Sequence, residues 1–279
     1  MTRSILTWTF AMALAVTSPA GGAADTVRTV FLSAIDGNSG FVTDLTAADL
    51  LVKENGQARD VIELAPATDV SHVTVLADDG GDGSMQRAVA ELLNVTTGRA
   101  LFSIGMLNPQ TIRLNDYTND QAVIQSSVSR LIQRGRLQRD SRQLSDGVSM
   151  TAKDMAKRKL SRPVIVAFTN GGDSIERDIA RGILDDLRIS GASLHVVHIV
   201  GVDLGVVLGD GPTQSGGSVT AASSREGFAQ AAATIAKTLA HQYKLTYRLP
   251  DGVKPGERLQ VTTTRPAAKI VAPTLVPTK

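Results

Sequence analysis

The sequence predicts an α/β protein: a doubly wound, Rossmann-like, mostly parallel sheet with a small accessory β element from the N- and C-terminal segments. Three observations predict it. From His72 onward, short apolar runs rich in β-branched residues alternate with stretches whose apolar residues recur at helical spacing. Such alternation gives parallel strands whose connecting helices cover both sheet faces, with right-handed crossovers. Near both ends of the chain the pattern changes to strands and turns, without helical periodicity. The chain has 279 residues, 42% hydrophobic and 20% charged, enough for one sizeable core.

The first element, residues 1–24, reads as a secretory signal peptide. "MTRSILTWTFAMALAVTSPAGGAADTV" has one early cation, Arg3, an apolar run from Ile5 to Val16, and small residues before Asp25. The run is about 12 residues, short of the roughly 20 needed to span a bilayer. Cleavage is expected near Ala23 or Ala24, giving an exported protein, periplasmic or extracellular; an uncleaved membrane anchor is the competing reading.

Residues 25–66 form an N-terminal strand unit. "VRTVFLSAI" is a strand, "DGNSG" a turn, "DLTAADL" a short capped segment, and "LLVKENGQARDVIEL" two strands around Asn55-Gly56. Asn-Gly between apolar runs is a hairpin signal, because both turn positions want positive φ. The unit is too small to bury a core alone and is expected to pack on the rest.

Residues 70–241 carry the α/β pattern. "HVTVLA", "RALFSIGML", "QTIRLNDY", "RPVIVAFT" and "ASLHVVHIVG" read as strands. Between and after them, "SMQRAVAELLN", the set Ile124, Val128, Leu131 and Ile132, the set Leu144, Val148, Ala152 and Met155, the set Ile175, Ile179, Ile183 and Leu187, and the set Phe228, Ile235 and Leu239 each line one face of a helix. The Gly-rich stretch Gly201–Gly217 reads as a mobile surface loop. Residues 242–272 return to strands with Pro/Gly turns and are expected to pair with the N-terminal unit. Residues 273–279 read as a disordered tail.

Composition excludes several function classes. Lys and Arg number 29 against 27 Asp and Glu, so global charge does not suggest nucleic-acid binding. There is no cysteine, which removes disulfides, thiol catalysis, thiolate zinc sites and cysteine-anchored lipidation. Neither a Gly-x-Ser-x-Gly elbow nor a Walker loop occurs. His195 and His198 stand three apart on a strand and so face opposite ways, which disfavours one shared ion.

Ligands of open α/β sheets bind at the carboxyl ends of strands. "ADDGGDGSM" (Ala77–Met85) and "TNGGDS" (Thr169–Ser174) both follow strands, so they should line one site. Asp79, Asp82, Ser84, Asn170 and Asp173 are its candidate oxygen ligands; the plainer reading is a polar turn in which Asp82 or Ser84 caps the next helix. "RLIQRGRLQRDSRQ" (Arg130–Gln143) is rich in arginine. It reads either as a solvated helix end or as a patch for an anionic partner, with Arg136, Arg139 and Arg142 as contacts.

"GFVTDLTAADLLVKENGQARDVIEL", "YTNDQAVIQSSVSRL", "RPVIVAFTNGGDS" and "SGGS" (Ser215–Ser218) followed by "FAQAAATIAKTLAHQYKLTYRLP" together resemble, in order, a von Willebrand factor type A (vWA) domain of the bacterial secreted kind. The resemblance spans about Val27 to Ala272. It implies a metal-ion-dependent adhesion site built from Asp-x-Ser-x-Ser after the first strand, a threonine from a second loop and an aspartate from a third. Hard oxygen ligands of that type suit Mg²⁺ or Ca²⁺ and leave a position for a partner's carboxylate. The sequence departs at all three places. Gly80 and Asp82 or a shifted Asp79 stand in the first loop, Ser141 or Arg142 in the second, and Asn170 in the third, with Asp173 three residues on. An arginine in the second loop would supply a positive charge where a cation is usual.

The expectation is therefore a non-enzymatic exported binding or adhesion domain that meets a protein partner through its carboxyl-edge loops, with a degenerate metal site. The alternatives are a structural subunit of a cell-envelope or secretion assembly with a vestigial site, and a metal-assisted hydrolase using the same loops.

Overall fold

The structure is a computed structural model that describes residues 26–38, 40–77, 83–96, 98–108, 110–131, 143–172 and 175–278. The expected signal peptide lies outside the described residues.

The chain enters in β1 (Thr26–Asp36). A single 3-10 turn at Ala47–Asp49 follows, where the Asp49 carboxylate accepts the Thr46 N–H and hydroxyl, each at 2.8 Å. β2 (Leu50–Glu54) then turns through Asn55 and Gly56, at φ 49° and 80°, into β3 (Gln57–Arg59). Both turn residues are left-handed, as the tight hairpin requires. β4 (Val61–Pro66) completes this part.

Next comes a six-stranded sheet made of β5 (Ser71–Ala77), β6 (Ala100–Asn108), β7 (Gln110–Arg113), β8 (Arg162–Thr169), β9 (Ser193–Ile199) and β10 (Ser218–Ala222). The order is β10-β9-β8-β5-β6-β7, and every pairing is parallel except that of β6 with the edge strand β7. All eight residues of β8 are buried, which is why "RPVIVAFT" lacks alternation: a central parallel strand is covered on both faces.

Helices α1 (Ser84–Thr96), α2 (Gln121–Leu131), α3 (Gln143–Lys157), α4 (Arg177–Ser190), α5 (Gly205–Ser215) and α6 (Gly227–Ala240) supply the cover. On one face Val75, Ile104, Val166 and Val197 pack with Met85 and Leu92 of α1, Ile124 of α2 and Ile235 of α6. On the other, Leu76, Ile165 and Val196 pack with Val148 of α3, Ile183 of α4 and Leu208 of α5. The doubly wound, mostly parallel sheet expected from the sequence is thus present.

Two expectations need correction. The Gly201–Gly217 stretch is no loop over most of its length, because α5 occupies Gly205–Ser215 and ends on Gly216 at φ 78°. Gly211 and Gly217 serve close packing. A Cβ at Gly217 would stand 1.8 Å from the Leu194 carbonyl oxygen, and one at Gly211 about 3.1 Å from Leu194 Cδ2. The tail expected to be disordered, residues 273–279, is described through Thr278 and is fastened. Val276 is 1% exposed, its N–H bonds Glu257 O at 2.8 Å, and Arg188 Nε of α4 donates to its carbonyl at 3.1 Å. A Pro/Thr-rich segment has no period to read, yet one buried valine and ready-made backbone partners suffice to hold it.

β11 (Tyr243–Leu249), β12 (Leu259–Thr263) and β13 (Ala268–Val271) close the chain. β1 pairs antiparallel with β11 and then with β13, giving a four-stranded sheet β13-β1-β11-β4 beside a three-stranded sheet β12-β2-β3. Val30, Leu32, Leu50, Val52, Leu245, Tyr247, Leu259 and Val276 form their shared core. The accessory element is therefore a small two-sheet sandwich.

Sandwich and α/β unit meet at the amino end of β8. Arg162 is 4% exposed there. It donates to Gln242 Oε1 at 3.2 and 2.7 Å, to the Asp69 carbonyl at 3.3 Å and to the Leu239 carbonyl at 2.5 Å. Its guanidinium also lies 5.3 Å from the Phe31 ring centre. Burial lowers its pKa to about 10, which still leaves it charged at neutral pH.

Candidate functional site

β5 and β8 are neighbours in register, Ala77 beside Phe168, so the segments that follow them leave the sheet side by side. Of the sequence candidates, Ser84 and Asn170 are described. Ser84 is the first residue of α1 and is 2% exposed. Asn170 follows the last residue of β8 and is half-buried. Both therefore lie on the carboxyl edge. Asp79, Asp82, Asp173, Arg136, Arg139 and Arg142 lie outside the described residues.

The loop after β8 is organised by its own first residues. The Thr169 hydroxyl accepts the Gly171 N–H at 3.1 Å and donates to the Gly171 carbonyl at 2.8 Å, a local turn closed by one side chain. Asn170 Oδ1 accepts a hydrogen bond from Arg225 Nε at 3.1 Å. Arg225 stands between β10 and α6. It is a functional candidate that sequence reading missed; its only signal was a lone cation in "SSREGF", just before the last helix.

Further contacts tie neighbouring loops together. A Cβ at Gly172 would fall 2.4 Å from the Asp203 carbonyl oxygen, so only glycine lets the β8 and β9 loops touch. The Asp203 carboxylate accepts the Gly205 N–H at 3.0 Å, at the start of α5. The Val200 N–H bonds the Ala222 carbonyl at 2.9 Å, which leaves the Val200 side chain at the edge, 62% exposed. The described carboxyl edge thus combines one guanidinium, an amide it grips and an exposed valine on loops that brace one another.

Of the five candidate oxygen ligands of an ion, only Ser84 and Asn170 fall among the described residues. The third-loop oxygen belongs to an amide rather than a carboxylate, and a guanidinium already donates to it. Among the described residues no group of three or more His, Asp or Glu side chains is placed to hold a metal. The two histidines of β9 have separate partners: His195 Nδ1 meets Ser218 Oγ at 2.9 Å, and His198 Nδ1 meets the Ile199 carbonyl at 2.9 Å. His195 is buried, and desolvation pushes its pKa down to about 4.

No family model and no curated protein matches the sequence. Solved structures do match the fold. A von Willebrand factor type A protein from Catenulispora acidiphila is 10% identical, with a TM-score of 0.50 over 93% of this chain and 76% of its own. Proximal thread matrix protein 1 from the mussel byssus, in a structure with a zinc-occupied MIDAS motif, is 14% identical, with a TM-score of 0.50 over 71% of this chain. The match spans about half the length of that mussel protein, 50%. At such identities likeness speaks for the backbone alone. With the strand order, the helices on both faces and the glycine-bearing carboxyl edge in view, the chain has the von Willebrand factor type A fold.

Proposed function

We propose that this chain is an exported, non-enzymatic vWA-fold binding domain that engages a protein partner through its carboxyl-edge loops, and that Arg225, not a divalent ion, supplies positive charge there. The observation that carries the reading is the 3.1 Å hydrogen bond from Arg225 Nε to Asn170 Oδ1. A metal at a vWA edge offers a positive centre to a partner's carboxylate. A guanidinium offers the same charge with directional N–H donors and matches a carboxylate bidentately. Asn170 suits that exchange, because its amide oxygen accepts from arginine while adding no negative charge of its own. The exposed Val200, three residues after the Val197 core contact on β9, adds an apolar element beside it. Export rests on the N-terminal sequence pattern.

The test is chemical cross-linking in the native host envelope with tagged wild-type chain, Arg225→Gln and Asn170→Asp, each with and without a chelator. The reading expects one partner recovered by wild type irrespective of chelator and lost with Arg225→Gln. Recovery that survives Arg225→Gln but vanishes with chelator would replace it by a metal-dependent adhesin.

A further inference from the structure

The core of the accessory sandwich is apolar along most of its length and polar at one end. Glu54, the last residue of β2, is 0% exposed. Its Oε1 accepts the Gly256 N–H, and its Oε2 lies 3.9 Å from Arg59 Nε. Tyr247 of β11, also 0% exposed, stands within reach of both: burial raises its pKa, the charge of Glu54 and the polar contact of its carboxylate with the hydroxyl add to that, and Arg28 and Arg59 oppose it. Arg28 lies on β1 directly opposite Tyr247 in the pairing register, and its Nη1 donates to the Pro277 carbonyl at 2.8 Å.

Four atoms of this cluster are buried and, among the described residues, have no hydrogen-bond partner: Arg28 Nε, Arg59 Nε, Tyr247 Oη and Glu54 Oε2. Two are donors, the carboxylate oxygen is an acceptor, and the tyrosine hydroxyl can act as either. Two guanidinium groups and one carboxylate surround Tyr247, and of the two Arg59 lies 3.9 Å from the carboxylate. Buried polar groups are almost always satisfied, because leaving them bare forfeits the hydrogen bonds they had in water. The gap between Glu54 Oε2 and Arg59 Nε, 3.9 Å, is too long for a direct bond and close to what two hydrogen bonds of about 2.8 Å span when they meet at one shared atom.

We propose that this polar end of the sandwich is a binding site for one small spherical hydrogen-bond acceptor, a halide ion or a single water molecule, held by Arg28, Arg59 and Tyr247. A water closes the hydrogen-bond count, accepting from Arg28 Nε and Arg59 Nε and donating to Glu54 Oε2 and the Tyr247 hydroxyl oxygen. A chloride closes the charge count and accepts from the guanidinium groups and the tyrosine hydroxyl alone, since it has no proton for Glu54 Oε2. Either one fixes the same two outlying contacts, since Glu54 holds the turn at Gly256 and Arg28 holds the chain at Pro277. The occupant therefore sets how firmly the C-terminal segment is clasped to the sandwich. The site lies in the sandwich and stands independently of the carboxyl-edge reading.

The experiment is a crystal structure of the full chain grown in sodium bromide, with data collected at the bromine absorption edge. An anomalous peak within 3.5 Å of Arg59 Nε and Tyr247 Oη identifies a halide, and a single peak there without anomalous signal identifies water. For the halide, replacing chloride by gluconate at constant ionic strength lowers the unfolding midpoint of wild type but not of Tyr247→Phe. Density that shows Glu54 bonded directly to Arg59 and Tyr247, with no peak between them, overturns the proposal.

Discussion

β8 carries an arginine at its amino end and is met by another at its carboxyl end, and the two are used in opposite ways. Arg162 is buried, makes four hydrogen bonds to groups far away in sequence, and joins the sandwich to the α/β unit. Arg225 is half-buried and is held by a loop amide. A buried guanidinium with its donors engaged is architecture, since removing it strands its partners without water. A half-buried guanidinium beside the carboxyl-edge loops, held through Nε by a loop amide, stands where a ligand can approach it. The difference teaches that in this fold burial and partner type, rather than charge as such, separate the two roles.

The comparison can be broken by substitution. Arg162→Ala should destabilise the chain most, by about 4 kcal/mol, because Gln242 and the Leu239 carbonyl lose charge-assisted bonds inside the protein. Denaturant unfolding followed separately in the sandwich and the α/β unit checks this; a loss below about 1 kcal/mol would show the joint to be superficial.

Next comes acid. His195 is neutral and buried, with its pKa lowered from 6.5 to about 4. Below about 6.5 the unfolded chain takes up a proton that the folded chain refuses, so stability falls as pH drops from about 6.5 towards 4 and is fully retained above that window. The loss is on the order of 3 kcal/mol by pH 4. His195→Gln should flatten the slope over that interval, and an unchanged slope would assign it to the carboxylates instead.

Gly172→Ala ranks third, at about 2 kcal/mol, since its Cβ would sit 2.4 Å from the Asp203 carbonyl oxygen and must push the β8 and β9 loops apart. Crystallography or amide exchange of residues 199–205 reads that displacement. Arg225→Gln should cost least, under about 1 kcal/mol, as befits a partly exposed group, while abolishing partner recovery. A variant that unfolds like Arg162→Ala would erase the distinction between the two ends.

Much of this was legible in the sequence, for physical reasons. The unbroken run of β8, the Asn55-Gly56 turn and the apolar faces of α3 and α4 are set by neighbours a few residues away, and local pattern reports local structure. The same pattern located Ser84 at the start of the helix after β5 and Asn170 just past the end of β8. What escaped depends on distant partners. Asn170 and Arg225 are 55 residues apart, and Arg162 and Gln242 are 80 apart; neither pairing leaves a periodic trace. α5 was hidden because glycines needed for its approach to Leu194 mimic loop composition. The C-terminal segment was hidden because one buried side chain, Val276, and borrowed backbone partners hold it, not a repeating face.

The most direct measurement is calorimetric titration of the chain with Mg²⁺, Ca²⁺, Mn²⁺ and Zn²⁺, run on wild type, Asn170→Ala and the double variant Arg225→Gln, Asn170→Asp. The account predicts no wild-type binding tighter than about millimolar, roughly 4 kcal/mol, and a gain of ion binding only when the guanidinium is removed and a carboxylate restored. Wild-type binding well below millimolar that Asn170→Ala abolishes would contradict it.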